Sequence, residues 1–144
     1  MWKYQRAVIV IRSPIGCFGS HFNWKFTKNQ TDVASEEAYH KHFKAHLEKW
    51  LPHWKQFYQE WMSNFAGPKY VMFYDDLKKD LEGEMRKLMK FLDVTYDEKD
   101  FQCMLKHSEG PAHRSSAMKK DTLLYYSPEQ FNQTVKTILQ IEQI

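Results

Sequence analysis

The stretch Ala7-Val8-Ile9-Val10-Ile11-Arg12-Ser13-Pro14-Ile15-Gly16 decides the fold. Its first five residues form an unbroken, β-branched apolar run. A run without polar alternation is the pattern of a strand buried on both faces, as in a parallel sheet covered by helices. Pro14 ends it, because its ring holds the preceding residue in extended backbone and suits the first turn of a helix. A helix is expected from about residue 15 or 16 to Phe26, followed by a polar loop over 27–35.

Beyond this strand the pattern turns helical. Ser35 with Glu36 and Glu37 makes a helix start, and a long helical region is expected to about Phe65. Its aromatic stripe Trp50, Trp54, Phe57, Trp61 and Phe65, widened by Leu47, Tyr58 and Met62, is read as the core-facing side. Pro52 must kink this region or open a new helix. Gly67-Pro68 stops it. Lys69-Tyr70-Val71-Met72-Phe73-Tyr74 reads as a second strand. Asp75-Asp76 follows, and then a helix from about Leu77 or Asp80 to Leu92 bearing Leu81, Met85, Leu88, Met89 and Leu92 on one side. A short helix over 97–106, an irregular polar segment over 107–126 and a capped helix opening at Ser127-Pro128-Glu129 complete the chain. The last helix is expected to bury Phe131, Val135, Ile138 and Ile141 or Leu139. The order β-α-α-β-α-α-loop-α means α/β with parallel strands joined by helical crossovers. Two strands are few for such a sheet.

Composition narrows the function classes. The 144 residues suit one domain, and 42% apolar, 16% aromatic and 27% charged residues describe a globular chain rather than a disordered one. Lys plus Arg total 21 against 18 Asp plus Glu, which permits an anionic ligand without demanding one, and no basic arm of the nucleic-acid type occurs. No run approaches the length of a membrane span, and Met1-Trp2-Lys3-Tyr4-Gln5-Arg6 has no apolar signal core. A membrane or lumenal address is expected to come from sequence outside this chain. Cys17 and Cys103 are too few to read a compartment. Asn29-Gln30-Thr31 and Asn132-Gln133-Thr134 are sequons; such triplets are common by chance, and the second falls in an expected helix.

Ligands of open α/β sheets bind beyond the carboxyl ends of the strands. Here those ends carry Arg12 to Gly16 and Tyr74 to Asp76. Arg12 offers a planar fork for a phosphate, the following helix N-terminus favours anions, and Ser20 brings a hydroxyl about one turn in. A paired Arg12 and a plain surface Ser20 are the competing reading. His42 and His46, four apart on a helix with His40 and His53 nearby, could share a metal, but a third ligand at a clear spacing is lacking. Cys17 with His21 could mimic a nucleophile pair; a buried structural cysteine is the simpler reading. The one-sided spacing of the Trp50–Phe65 aromatics speaks for core and against base stacking.

Taken together these residues resemble the sulfotransferase family. Arg12-Ser13-Pro14 followed by Ser20 after a β-branched strand is similar to its 3′-phosphate-binding motif. Tyr74-Asp75-Asp76-Leu77-Lys78, then Asp80 and a helix ending Phe91-Leu92, is similar to its Tyr-Glu-Asp-Leu-Lys segment. Glu109-Gly110-Pro111-Ala112-His113-Arg114-Ser115 resembles a late segment of the WSC-domain-containing, sulfotransferase-like branch. The resemblance covers nearly the whole chain. It implies a partial P-loop-NTPase-like parallel sheet flanked by helices, two strands of it here. It also implies transfer of a sulfuryl group from 3′-phosphoadenosine 5′-phosphosulfate (PAPS) to an acceptor hydroxyl, a glycan by family likeness, without a metal. Arg12 and Ser20 would hold the 3′-phosphate, Tyr74 would lie near the adenine, and Arg114 would be a late cationic contact, although Ser115-Ser116 replaces the family's Lys-Gly there. The parent protein would face the Golgi lumen from a membrane anchor.

One family part has no counterpart. The 5′-phosphosulfate loop belongs upstream of the Arg12 strand, and no Gly-x-x-x-x-Gly-Lys-like pattern occurs in the chain. Residues 1–144 are therefore expected to be the C-terminal portion of one sulfotransferase domain, carrying the 3′-phosphate half of the cofactor site and no catalytic residue, and inactive alone. The Ala7–Ile11 strand is expected to be less covered than its sequence demands. The alternatives are a non-catalytic α/β interaction module derived from a sulfotransferase and a nucleotide-kinase-like P-loop protein.

Overall fold

The computed structural model describes residues 4–29, 31–108 and 121–143. The elements run β1 (Ala7–Ile11), α1 (Pro14–Thr27), α2 (Glu36–Asn64), β2 (Lys69–Phe73), α3 (Tyr74–Lys79), α4 (Leu81–Leu92), α5 (Glu98–Lys106), a 3-10 turn (Thr122–Tyr125) and α6 (Pro128–Glu142). β1 and β2 form a two-stranded parallel sheet in register from Ala7 opposite Lys69 to Ile11 opposite Phe73. The architecture is α/β with helical crossovers, as the apolar runs and their spacing predict. The chain divides into two compact units, Met1–Arg12 with Trp61–Pro111 and Ser13–Glu60 with Ala112–Ile144.

The first unit holds the sheet, and Ala7, Ile9, Ile11, Phe65, Met72 and Phe101 are its buried apolar residues. β1 is not buried on both faces. Val8 and Val10 are 39% and 44% exposed, because among the described residues no further strand or helix covers that side. The strand is thus less covered than its β-branched sequence demands, as expected. Lys69 fastens the start of β2 to the end of α2, its Nζ donating to the carbonyls of Met62 and Phe65 at 2.7 and 2.9 Å. Arg6 does the same for α4, donating to the carbonyl of Phe91 at 2.8 Å while lying over the Phe91 ring. Orphan carbonyls at helix ends favour such cations.

The segment after β2 is two helices rather than one. Tyr74 opens α3 instead of closing the strand, and Asp80 ends α3 and caps α4, accepting from the Gly83 amide at 2.9 Å. The same cap explains Gly83: a Cβ there would collide with the Asp80 carboxylate. α4 has no fully buried residue, so its apolar stripe is only half covered.

In the second unit α1, α2 and α6 enclose an aromatic core of Phe18, Phe22, Tyr39, Phe43, Leu47, Leu51, Trp54, Tyr58 and Ile141. α2 passes through Pro52 without a break. Pro52 is exposed, so the carbonyl that loses its amide partner lies on the solvent side, where water can satisfy it. The expected aromatic stripe needs correcting. Phe57 is 54% exposed, and Tyr58, four residues after Trp54 and edge-on to it, takes the inward place. In α6, Phe131 and Leu139 are exposed, whereas Thr134, Thr137 and Ile141 are buried. The two threonines donate to the carbonyls of Gln130 and Gln133 four residues back, which satisfies their hydroxyls and lets their methyls pack. Ser127 and Gln130 form a reciprocal capping box at the α6 start.

Candidate nucleotide site

The carboxyl ends of the two strands lie side by side, one register step beyond Ile11 and Phe73. That step places Arg12 and Tyr74 together. The Arg12 guanidinium carbon sits 4.7 Å from the centre of the Tyr74 ring. At that distance the cation lies over the electron-rich ring face, a contact that helps hold Arg12 at the strand end. The sequence singled out both residues, and the parallel register explains why they meet. Both are half-buried.

The remaining sequence-selected residues are placed as follows. Ser20 lies on α1 in the second unit, half-buried, with its hydroxyl donating to the Gly16 carbonyl at the long distance of 3.5 Å. α1 opens on Pro14, its Ser13 side chain makes no cap hydrogen bond, and no acidic residue stands in its first turn. A helix start of that kind leaves its amides and positive dipole end to an anion. Arg114 lies outside the described residues.

The histidines behave differently from one another, and His46 is not the solvated helical histidine its position suggests. His42 is exposed and stacks on Phe26, while His46 is 4% exposed and turns inward, so the pair cannot share an ion. His46 packs against His21 at 4.9 Å between ring centres, with Phe22 at 5.3 Å and Trp50 at 6.2 Å. Burial, the neighbouring His21 and Lys25 push its pKa down to about 4, and burial with Lys25 lowers His21 as well. The His46 ring is therefore neutral at pH 7. Neither ring nitrogen of His46 has a hydrogen-bond partner. Sequence inspection had no means of finding this, because the cage is built from two helices. Among the described residues no group of three or more His, Cys, Asp or Glu could hold a metal. Cys17 and Cys103 are not joined in a disulfide, and Cys17 is half-buried.

The first unit also carries a charge cluster. Arg86, stacked 4.4 Å over Phe101, binds Glu82 and Glu98, with the Tyr96 hydroxyl at 3.1 Å. These contacts hold the Glu98 carboxyl down at about 2 and raise Arg86 further. They tie α4 to α5 on the surface, and no orphaned group there points to a ligand. Among the described residues no helix is long and apolar enough to cross a membrane.

Comparison with known proteins now adds to the geometry. The sulfotransferase domain family matches residues 2–137. A WSCD family member from Aedes aegypti is 27% identical over 129 residues, which is 87% of this chain and 39% of that protein. A WSCD family member from Drosophila melanogaster is 27% identical over the same share of each chain. Cytosolic sulfotransferase 14 from Arabidopsis thaliana is 29% identical over 104 residues, 67% of this chain and 29% of its own length. The chain thus spans about two fifths of the length of the WSCD relatives. Among solved structures, mouse sulfotransferase SULT7A1 complexed with PAP superposes with a TM-score of 0.60 at 16% identity, covering 93% of this chain and 56% of that one. That likeness shows the fold, a sulfotransferase-type α/β arrangement. The chain belongs to the sulfotransferase domain family, on its WSCD-like branch.

Proposed function

We propose that the chain is the C-terminal portion of a PAPS-dependent sulfotransferase domain and carries the 3′-phosphate half of its nucleotide site. The single observation that carries the reading is Arg12 stacked on Tyr74 at the carboxyl ends of paired parallel strands. A guanidinium held at the strand end suits a phosphate, and an aromatic ring beside it suits a purine. The PAP named with the mouse structure is the product left when PAPS gives up its sulfuryl group, so the nucleotide fits the same reading. Ser20 and Arg114 take the phosphate-contact roles that the resemblance implies.

PAPS supplies an activated sulfuryl group when bound. This chain's contribution is to bind and orient the nucleotide end of it. Its sequence holds no Gly-rich phosphate loop, so donors for the 5′-phosphosulfate and a base for the acceptor belong to upstream sequence. The half-covered β1 and α4 faces fit a sheet that continues with further elements. A glycan hydroxyl as acceptor and a lumenal, Golgi-membrane setting for the parent protein complete the proposal.

The test is calorimetric titration of adenosine 3′,5′-bisphosphate into the protein carrying its upstream sequence. Charge-assisted hydrogen bonds contribute about 1.5–3 kcal/mol. Arg12→Ala is therefore expected to weaken binding ~10–100-fold, and Tyr74→Leu ~2–5-fold from the lost stacking. Unchanged affinity in Arg12→Ala would overturn the site. The 144-residue chain alone is expected to transfer no sulfate, and turnover by it would overturn the half-site reading.

A further inference from the structure

Asn29-Gln30-Thr31 is a sequon whose two outer residues are ordered toward each other. α1 ends at Thr27, and Lys28 takes the left-handed conformation (φ 60°) that turns the chain out of the helix. Thr27 Oγ1 then accepts from the Asn29 amide at 3.2 Å, with the Asn23 and Asn29 carbonyls at 2.9 and 3.0 Å as acceptors for its one proton. Beyond it, the Asn29 side-chain Oδ1 accepts from both the amide and the hydroxyl of Thr31, each at 3.2 Å. The Asn29 side-chain oxygen thus accepts from the backbone and the hydroxyl of Thr31 together. Both contacts fall on Oδ1, so neither consumes the side-chain nitrogen. Asn29 is exposed, and the loop returns to the core only at Ala34, whose amide donates to the buried Asn23 side chain at 2.9 Å.

The second sequon has the opposite setting. Asn132 and Thr134 lie inside α6, Thr134 is 1% exposed, and its hydroxyl is spent on the Gln130 carbonyl at 2.7 Å. No turn brings that hydroxyl to the Asn132 amide. Of two equivalent triplets in sequence, one has an exposed asparagine that accepts from its threonine hydroxyl, and the other is folded into a helix.

We propose that Asn29 is an N-glycosylation acceptor. The Asn29 Nδ2 forms a bond to the anomeric carbon of an oligosaccharide carried on a polyprenyl diphosphate. The bond from that carbon to the diphosphate oxygen breaks, the polyprenyl diphosphate leaves, and the Nδ2 proton is released to base. Two hydrogen bonds from Thr31 to Oδ1 polarise the amide toward this step, and the exposed loop accommodates the product without disturbing the core. In the native protein the modification rests on the lumenal address proposed above; the acceptor competence of Asn29 does not.

The test leads the 144-residue chain into microsomes with a cleavable signal sequence and reads electrophoretic mobility before and after peptide N-glycosidase. One glycosidase-sensitive shift is expected, with aspartate at position 29 after release by mass spectrometry. Asn29→Gln and Thr31→Ala are expected to remove the shift, Thr31→Ser to keep it, and Asn132→Gln to leave it intact. No shift in the wild-type chain overturns the proposal, and so does a shift that survives Asn29→Gln and is lost in Asn132→Gln. A glycan on the signal-led chain with none on the native full-length protein supports the acceptor and refutes the lumenal address, so the two failures are separable.

Discussion

Replacing His46 by leucine should stabilise the protein in acid more than at neutral pH. The ring is 4% exposed, both of its nitrogens lack partners, and its pKa is pushed from 6.5 to about 4. A folded-state pKa below the unfolded value means the unfolded chain binds the extra proton. The stability tied to a neutral His46 is therefore fully present above pH 6.5 and is lost as pH falls toward 4. At 1.36 kcal/mol per pKa unit the loss amounts to about 3 kcal/mol. Leucine keeps the apolar contacts with Phe22, Phe43 and Trp50, removes two stranded polar atoms whose burial costs about 1 kcal/mol or more, and has nothing to protonate. Urea unfolding followed by tryptophan fluorescence at about pH 7.5 and about pH 4.5 measures both effects. Wild type should lose about 3 kcal/mol more than His46→Leu between those conditions. Parallel losses in the two proteins, or a leucine variant weaker than wild type at neutral pH, would refute the reasoning.

Other outcomes follow from single contacts. Gly19→Ala drives a Cβ into the Thr122 side chain where the 3-10 turn crosses α1, so it should cost about 1–3 kcal/mol, and Thr122→Ala should recover most of that in a double variant followed by thermal unfolding. Ser127→Ala removes half of the capping box and should cost about 1 kcal/mol, while Ser127→Asp should be near neutral. Arg86→Met releases Glu98, whose carboxyl should climb from about 2 toward the usual carboxylate value of 4.5 in a carbon-detected titration. A Glu98 that stays low would show that Arg86 is not what holds it.

The fold was legible where one local signal decided it. The β-branched run with Pro14 behind it gave β1 and the start of α1, and the strand ends then named Arg12 and Tyr74. The parallel register did the rest, since it carries both strand ends to the same edge of the sheet. Legibility failed where two surfaces compete. Phe57 and Tyr58 are adjacent and both aromatic, and the packing around Trp54, not hydropathy, chose Tyr58. Thr134 and Thr137 read as polar until their hydroxyls bond back along the helix. His46 reads as one of four helical histidines, and only its approach to α1 makes it a buried neutral ring. Asn29 and Asn132 are alike as triplets; the helix expected after Ser127 already set the second apart, and only the hydrogen bonds between Asn29 and Thr31 were beyond the sequence.

The sheet has a kinetic consequence. Ala7 pairs with Lys69, so every rung of the ladder joins residues about sixty positions apart, with α1 and α2 between them. Closing so long a loop is entropically unfavourable until the intervening helices have shortened it. As the chain emerges from the ribosome, β1 precedes β2 and waits for α1 and α2 before that partner can dock on it. During that wait Val8 and Val10 stand in water beside three residues that the finished fold buries. A strongly β-prone segment is thus synthesised well before the partner strand that protects it, and recovery of folded protein should depend on how quickly the α2 helix closes that gap.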